Sequence, residues 1–115
     1  MQVGATTHYS VPVEGVFNQH KQVARSALVY LASKNEAAVV IEPYPQFWPE
    51  SDKSTKEFLN ELIQLGKTSS VTAPITNFFF HRSFPVDGRH NAKIFREQLG
   101  EWADKQENEA RRQVA

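Results

Sequence analysis

The sequence contains no cysteine. Disulfide bonds, thiol nucleophiles and cysteine-ligated metal sites are therefore excluded, and a cytoplasmic location is the default expectation. Long apolar runs are absent too, so we expect no transmembrane helix. The N-terminal stretch MQVGATTHYS has neither a basic start nor an apolar centre. It therefore does not resemble a signal peptide.

An excess of charge of either sign is also missing, because 13 Lys and Arg residues balance 13 Asp and Glu residues. A general nucleic-acid-binding protein is usually basic, so this class is disfavoured. What remains is an ordinary globular composition, with 40% hydrophobic and 23% charged residues. A length of 115 residues predicts one domain that can bury a core of its own.

The hydrophobic pattern predicts six elements in the order helix, strand, strand, helix, strand, helix. Ser10 or Val11 is expected to cap the first helix, with Pro12 in its first turn, where a missing N–H costs little. Glu14 follows near the positive end of the helix dipole. Residues 3–9, which precede this helix, are expected to form a short extended segment at an edge.

Two apolar, β-branched runs follow at 23–32 and 36–42, and the polar turn Ser33–Asn35 lies between them. This arrangement predicts a β-hairpin. The succession Val39–Ile41 predicts that the second strand is buried on both faces. Prolines end that strand, and the aromatic loop Tyr44–Trp48 is interpreted as a lid over the sheet rather than as a binding patch.

A long helix is predicted in the middle of the chain. Ser54 and Glu57 have the spacing of a capping box, and apolar residues then recur at helical spacing. Gly66 is interpreted as the left-handed residue beyond the helix. A third strand is predicted over Ile75–Phe80, where three phenylalanines are expected to supply core area.

The last helix is predicted to start at a capping Asn91. After Asp104 the sequence is almost entirely polar, so residues 105–115 are expected to fray. The chain is therefore predicted to be an α+β domain over residues 1–104, with a small three-stranded sheet and helices packed on it. The expected core residues are Val29, Val39, Ile41, Phe58, Leu62, Phe79, Phe95 and Leu99.

A run of polar and charged residues around position 90 is the main candidate for a functional site. Several cations near the start of a helix could hold a phosphate or a carboxylate group. The alternative is a solvated polar loop, and composition alone favours it. The residues in question are His81, Arg82, Asp87, Arg89, His90, Asn91, Lys93 and Arg96.

Other kinds of site receive little support from the sequence. The four histidines, at positions 8, 20, 81 and 90, lack the spacing of a metal site, so no metal ligands are predicted. The glycine-rich phosphate-loop patterns are absent. No nucleophile-elbow motif is present either, so a Ser–His–Asp triad would have to be assembled by chance.

The string FPVDGRHNAKIFREQL, from Phe84 to Leu99, resembles the last motif of the acyl-adenylate-forming enzymes. This family includes the acyl-CoA synthetases, adenylation domains and luciferases. Its motif has a proline, a polar loop, a Gly-Lys pair and then a helix that carries Ile, Arg and Leu. The string is particularly similar to fatty acyl-CoA ligase-like proteins and olefin β-lactone synthetases. Pro85, Lys93, Ile94, Arg96 and Leu99 match the motif, and Ala92 replaces its usual glycine.

The N-terminal half carries the same resemblance. Residues 10–20 look like the family's helix, although Lys21 stands where general members have a proline after the histidine. The resemblance covers about residues 8–104, which correspond to the small C-terminal lid of such an enzyme. The much larger N-terminal domain, with its phosphate loop, adenine pocket and acyl tunnel, would have to be supplied separately. The hinge between the two domains is expected at or before Met1.

The resemblance implies that Lys93 is the mobile lid lysine that stabilises acyl-adenylate formation. Lys93 is expected in the first turn of a helix, an unfavourable end for a cation, and this placement favours a functional role. Arg89, His90 and Asn91 are implied as supporting residues near the nucleotide phosphates.

The implied ligands are ATP and magnesium, which would be bound mainly by the large domain. The lid would then present a second face for thioester or β-lactone formation, with coenzyme A, a carrier or an internal hydroxyl as acceptor. The alternative from a different class is a separate small binding module, or an inactive fragment, that kept the fold without adenylation.

Overall fold

The structure is a computed structural model that describes residues 1–4, 6–87 and 93–114. The elements within these residues follow the predicted order, with two short hairpins added. The strands are β1 (Gln2–Val3), β2 (Thr6–Thr7), β3 (Val23–Leu31), β4 (Glu36–Pro43), β5 (Phe78–Phe80), β6 (Val86–Asp87) and β7 (Lys93–Ile94). The helices are α1 (Ser10–Phe17), α2 (Asp52–Gly66) and α3 (Arg96–Val114), and a 3-10 turn covers Pro45–Phe47.

A three-stranded sheet with the strand order β3-β4-β5 forms the centre of the domain. The β3 and β4 strands form the predicted antiparallel hairpin, in which Leu31 pairs with Glu36. Asn35 in the turn has a φ of 51°, a left-handed conformation that asparagine tolerates better than most residues. The third strand is parallel to β4, with Val39 opposite Phe78. The predicted α+β class with a small three-stranded sheet is confirmed.

Helices cover both faces of this sheet. Because successive side chains of a strand point to opposite faces, β4 contributes to two separate clusters and is buried throughout after Glu36, as predicted. On one face α1 and α2 pack in a cluster of Val13, Phe17, Val23, Leu28, Ala37, Val39, Ile41, Phe58, Leu62 and Ile75. On the other face α3 packs in a cluster of Ala27, Val29, Leu31, Ala38, Val40, Phe84, Leu99 and Ala103.

The aromatic loop after β4 lies over one edge of the sheet. Trp48 is half-buried, and the edge of its ring contacts Phe80 with the centroids 6.5 Å apart. Arg82 lies over the face of the same indole at 4.0 Å. The half-burial of Trp48 agrees with the interpretation of this loop as a lid, whereas Tyr44 and Phe47 are exposed.

The middle helix begins three residues earlier than the capping box that the sequence analysis predicted. Ser51 is the N-cap, and its hydroxyl accepts from the Ser54 N–H at 3.1 Å. The Ser54 hydroxyl accepts in turn from the Ser51 N–H at 3.0 Å. The pairing of Ser54 with Glu57 was wrong, because the two serines satisfy both orphan donors first.

Gly66 belongs to the end of α2 and is not a left-handed residue beyond it. A Cβ atom at this position would lie 3.3 Å from the ring of Phe17. The glycine therefore serves the contact between α1 and α2 rather than the exit of the chain from the helix.

The start of the last helix differs from the prediction. It begins at Arg96, downstream of the expected cap Asn91, which lies outside the described residues, and it is described as far as Val114. Lys93 therefore belongs to β7 and not to the first turn of a helix. Phe95 precedes the helix and is 40% exposed, so its place in the expected core was wrong.

Candidate functional site

The segment that carries the candidate lysine contains two short strands, β6 and β7, which pair in antiparallel orientation. We refer to residues 84–96 as the lysine segment. Lys93 is the first residue of β7 and pairs with Asp87, the last residue of β6. The backbone N–H of Phe95 donates to the carbonyl of Pro85 at 3.0 Å and extends this pairing. The supporting residues predicted with Lys93, namely Arg89, His90 and Asn91, lie outside the described residues.

A buried carboxylate holds the beginning of the lysine segment. Glu42, at the end of β4, is only 7% exposed, and its Oε2 accepts from the backbone N–H of Phe84 at 2.6 Å. Arg25 of β3 donates to both oxygens of the same carboxylate, from Nε at 2.8 Å and from Nη2 at 2.9 Å. The Arg25 guanidinium also lies 5.5 Å from the centroid of the Phe84 ring. A bidentate pair of this kind fixes geometry as well as charge.

A second buried carboxylate holds the end of the segment in the same way. Glu14 of α1 is 8% exposed and accepts from the backbone N–H of Leu28 at 2.7 Å. Arg96 donates to both of its oxygens, from Nη2 at 2.7 Å and from Nε at 3.0 Å. These hydrogen bonds raise the pKa of Arg96 above its ordinary value, against the opposing effect of burial. Glu14 thus connects α1, β3 and α3.

Three members of the predicted cluster, Arg96, Arg82 and His81, have other partners in the structure. Arg96 is bound to Glu14, and Arg82 is stacked on Trp48. His81 packs edge-on against Trp102 with the ring centroids 4.6 Å apart. Burial lowers the pKa of His81, although the charge of Glu42 partly offsets this. These three side chains therefore do not converge on one anion, because a carboxylate and two aromatic rings contact them separately.

A groove of about 510 Å³ lies beside the end of the lysine segment, between β3 and α3. Its floor includes Leu28 and Tyr30, and Ser10 lies at its α1 side. Glu97 and Glu101 of α3 form an acidic rim. Arg96, the partner of Glu14, is among the residues that line the groove.

His20 is held by two hydrogen bonds that do not involve a metal. His20 donates from Nε2 to Glu61 at 2.8 Å, and its Nδ1 accepts from the backbone N–H of Gln22 at 3.1 Å. Among the residues that the structure describes, no group of three or more His, Asp or Glu side chains could hold a metal ion. Within the same residues, no helix is long and apolar enough to cross a membrane.

Sequence reasoning missed the roles of Glu14, Arg25 and Glu42. One signal was available: Glu42 follows an apolar strand directly, and a carboxylate there needs a partner if it is buried. The identity of that partner had no local signal, because Phe84 is 42 residues away along the chain.

No family profile matches the chain. Individual relatives do match it. An olefin β-lactone synthetase of Xanthomonas campestris is 38% identical over 100 residues, which cover 85% of this chain. One of Stenotrophomonas maltophilia is 38% identical over 96 residues, or 83% of this chain. The chain belongs to the acyl-adenylate-forming enzyme family. It spans only 17% of the length of each of these two relatives of the family.

Solved structures show the same relationship at the level of the fold. An O-succinylbenzoate coenzyme A synthetase of Bacillus subtilis superimposes with a TM-score of 0.63 at 20% identity, over 88% of this chain and 19% of the enzyme. The amide bond synthetase McbA of Marinactinospora thermotolerans gives a TM-score of 0.65 at 21% identity, over 89% and 20% of the two chains. The chain therefore has the fold of the C-terminal domain of adenylate-forming enzymes.

Proposed function

We propose that this chain acts as the lid of an ATP-dependent acyl-activating ligase, and that Lys93 stabilises the formation of the acyl-adenylate. The observation that carries the proposal is the relationship to olefin β-lactone synthetases over 85% of the chain, together with the lysine motif that lies inside it. The position of Lys93 in a hairpin whose two ends are held by buried carboxylates supports the proposal.

The proposed first reaction joins a carboxylic acid to the AMP part of ATP. A carboxylate oxygen attacks the α-phosphorus, and the bond from that phosphorus to the bridging oxygen of the β-phosphate breaks. Pyrophosphate leaves with the electron pair. Negative charge spreads over the phosphoryl oxygens and the leaving group in the transition state, and a positioned cation stabilises it. Lys93 suits this task because its compact ammonium group is carried on a long, flexible stem.

The partner that completes the site is a large adenylating domain, on the same polypeptide or on a separate one. We assign ATP and magnesium to that domain, where the metal would accompany the phosphates. Among the described residues no cluster of ligands competes for this assignment. Arg89, His90 and Asn91 are proposed to lie near the phosphates and to support Lys93. A cytoplasmic location is expected for such an enzyme.

The proposed second reaction consumes the adenylate after the lid has turned. A thiol of coenzyme A or a carrier, or an internal hydroxyl, attacks the acyl carbon. AMP leaves with the electron pair of its bond to that carbon, and the proton of the nucleophile passes to a base. A β-lactone results when the hydroxyl lies on the β-carbon of the acid. The groove between β3 and α3 is a candidate for part of this second face.

A chimera tests the proposal directly. In it, this chain replaces the matched part of the Xanthomonas olefin β-lactone synthetase, and pyrophosphate release is followed with a long-chain fatty acid and with a 3-hydroxy fatty acid. We expect the chimera to release pyrophosphate far faster than the large domain alone. Lys93→Ala should lower the rate about a hundredfold or more, the scale for losing one preorganised charge at a transition state.

The control is Lys56→Ala, which removes an exposed lysine from α2 and should leave the rate unchanged. If Lys93→Ala and Lys56→Ala behave alike, Lys93 has no catalytic role. If the chimera is no faster than the large domain alone, the chain is not a working lid and the reading as a separate binding module gains support.

A further inference from the structure

Two buried carboxylates hold the two ends of the lysine segment, and each of them combines a bidentate arginine with a backbone N–H. We infer that Glu14 and Glu42 are positioning residues for Lys93, so that adenylation depends on both of them even though neither reaches the substrate. This inference rests on the proposed function of Lys93. It concerns a different part of the molecule, namely the base from which the lysine is presented.

At the beginning of the segment, Glu42 orients the backbone directly. Its Oε2 accepts from the Phe84 N–H at 2.6 Å, and the Arg25 fork prevents the carboxylate from turning. Phe84 itself is only 3% exposed and packs in the cluster under α3. The chain therefore leaves the sheet toward β6 in a defined direction.

At the end of the segment, Glu14 fixes the residue with which α3 begins. Arg96 follows Lys93 by three residues, and its two bonds to Glu14 tie the start of the helix to α1. The third bond, from the Leu28 N–H at 2.7 Å, ties the same carboxylate to β3. A buried carboxylate with three donors is held in one rotamer. Glu14 therefore fixes the start of α3 relative to both α1 and β3.

The lysine segment needs such supports because its own pairing is short. β6 and β7 contribute two residues each, and a two-stranded hairpin of this size has little stability in water. Its direction relative to the sheet is therefore set where it joins the domain. A displacement of the reacting group by about 1 Å can cost about a hundredfold in rate, so a modest loosening of either end should be measurable.

The pairing with Glu14 also assigns a role to Arg96, which the sequence analysis placed among the possible phosphate ligands. Both donor nitrogens that face Glu14 are occupied at 3.0 Å or less. Arg96 is consequently a positioning residue in this arrangement. Its conservative replacement by lysine would keep the charge and lose the two parallel bonds.

The test is a double-mutant cycle in the Xanthomonas chimera. Glu14→Gln and Glu42→Gln are each introduced into the unchanged lysine segment and into the Lys93→Ala variant, and pyrophosphate release is measured with the 3-hydroxy fatty acid. In the presence of Lys93 we expect each substitution to lower kcat about ten- to hundredfold, with a smaller change in KM. In the Lys93→Ala background neither should lower the rate further, because both act through the lysine.

Two further variants separate positioning from folding. Glu61→Gln removes the carboxylate of the ion pair with His20 and should leave kcat unchanged. The kcat of Arg96→Lys should lie between that of the unchanged chimera and that of Glu14→Gln. Arg96→Lys also keeps the test decisive if Glu14→Gln does not fold. All rates are compared at a temperature at which thermal unfolding shows every variant to be folded.

The outcomes are distinguishable. If the glutamine variants lower the rate equally with and without Lys93, or leave it unchanged with Lys93 present, the two carboxylates do not position the lysine and the inference is overturned. If Lys93→Ala itself has no effect, the proposed function fails first. The inference is supported if Glu14→Gln and Glu42→Gln lower the rate when Lys93 is present and have no further effect in the Lys93→Ala variant.

Discussion

Gly100 of α3 lies directly against the backbone of Tyr30 in β3. A Cβ atom at position 100 would lie 3.2 Å from the Tyr30 carbonyl oxygen and 3.7 Å from the Cβ atom of Val29. The glycine therefore allows the last helix to approach the sheet at this point more closely than any other residue would. Gly15 of α1 is the opposite case, because nothing lies within 4 Å of its Cβ position.

These two glycines give a matched pair of stability predictions. Gly15→Ala should raise the free energy of unfolding by about 0.5–1 kcal/mol, since alanine loses less conformational entropy in a helix. Gly100→Ala should lower it, because the obstructing atom belongs to the backbone of a sheet strand and α3 would have to move away. Urea unfolding of both variants measures the difference. A Gly100→Ala variant that is as stabilised as Gly15→Ala would show that the helix approach is not tight.

The two hydrophobic clusters should unfold together, because they share the same sheet. Leu62→Ala in α2 and Leu99→Ala in α3 should each lower the free energy of unfolding by about 2–5 kcal/mol. Both variants and the unchanged 115-residue chain should show a single cooperative thermal transition. Two separate transitions, or a broad melt with binding of a hydrophobic dye, would contradict the view that this chain is one self-sufficient domain.

His81 should titrate below the ordinary histidine pKa of 6.5, because burial against Trp102 disfavours its charged form. The unfolded chain then binds more protons than the folded chain just below pH 6.5. Stability is therefore complete above that pH and falls as the pH drops toward the lowered pKa. NMR titration of the ring protons measures the pKa directly. His81→Phe should weaken the pH dependence of stability in this window, and an unchanged dependence would assign it to other groups.

This chain alone should not make an acyl-adenylate. None of the described residues forms a phosphate loop or a metal cluster, and the proposed lysine would act on an ATP held by another domain. ATP–pyrophosphate exchange by the purified chain should equal that of its Lys93→Ala variant. Exchange clearly above that variant would show that the chain binds and activates ATP without a large domain.

The two half-reactions of the chimera should respond differently to changes at Lys93. Lys93→Ala should slow adenylation strongly and should leave ring or thioester formation from preformed adenylate much less affected, because the lid has turned by then. Lys93→Arg should restore adenylation poorly, since a planar guanidinium does not replace a compact ammonium. Equal losses in both half-reactions would indicate a folding or docking defect instead.

Local pattern was enough for the central part of the fold. The β-branched runs around Ser33–Asn35 predicted the hairpin of β3 and β4, and the uninterrupted Val39–Ile41 predicted burial on both faces. Both are confirmed. They depend on side-chain periodicity and turn residues within a few positions, and this information is contained in the sequence itself. The motif around Lys93 also indicated the family from the sequence alone, and the relatives confirm that family.

Tertiary structure alone decided the boundaries and the partners. The last helix begins at Arg96 rather than Asn91 because Lys93 and Ile94 pair with β6, whose strand the sequence did not predict. Glu14 was read as a helix-dipole charge, yet it binds an arginine 82 residues away. Such contacts form only when folding brings distant segments together and buries their charges. Burial is what makes an unpaired carboxylate costly and a bidentate partner necessary.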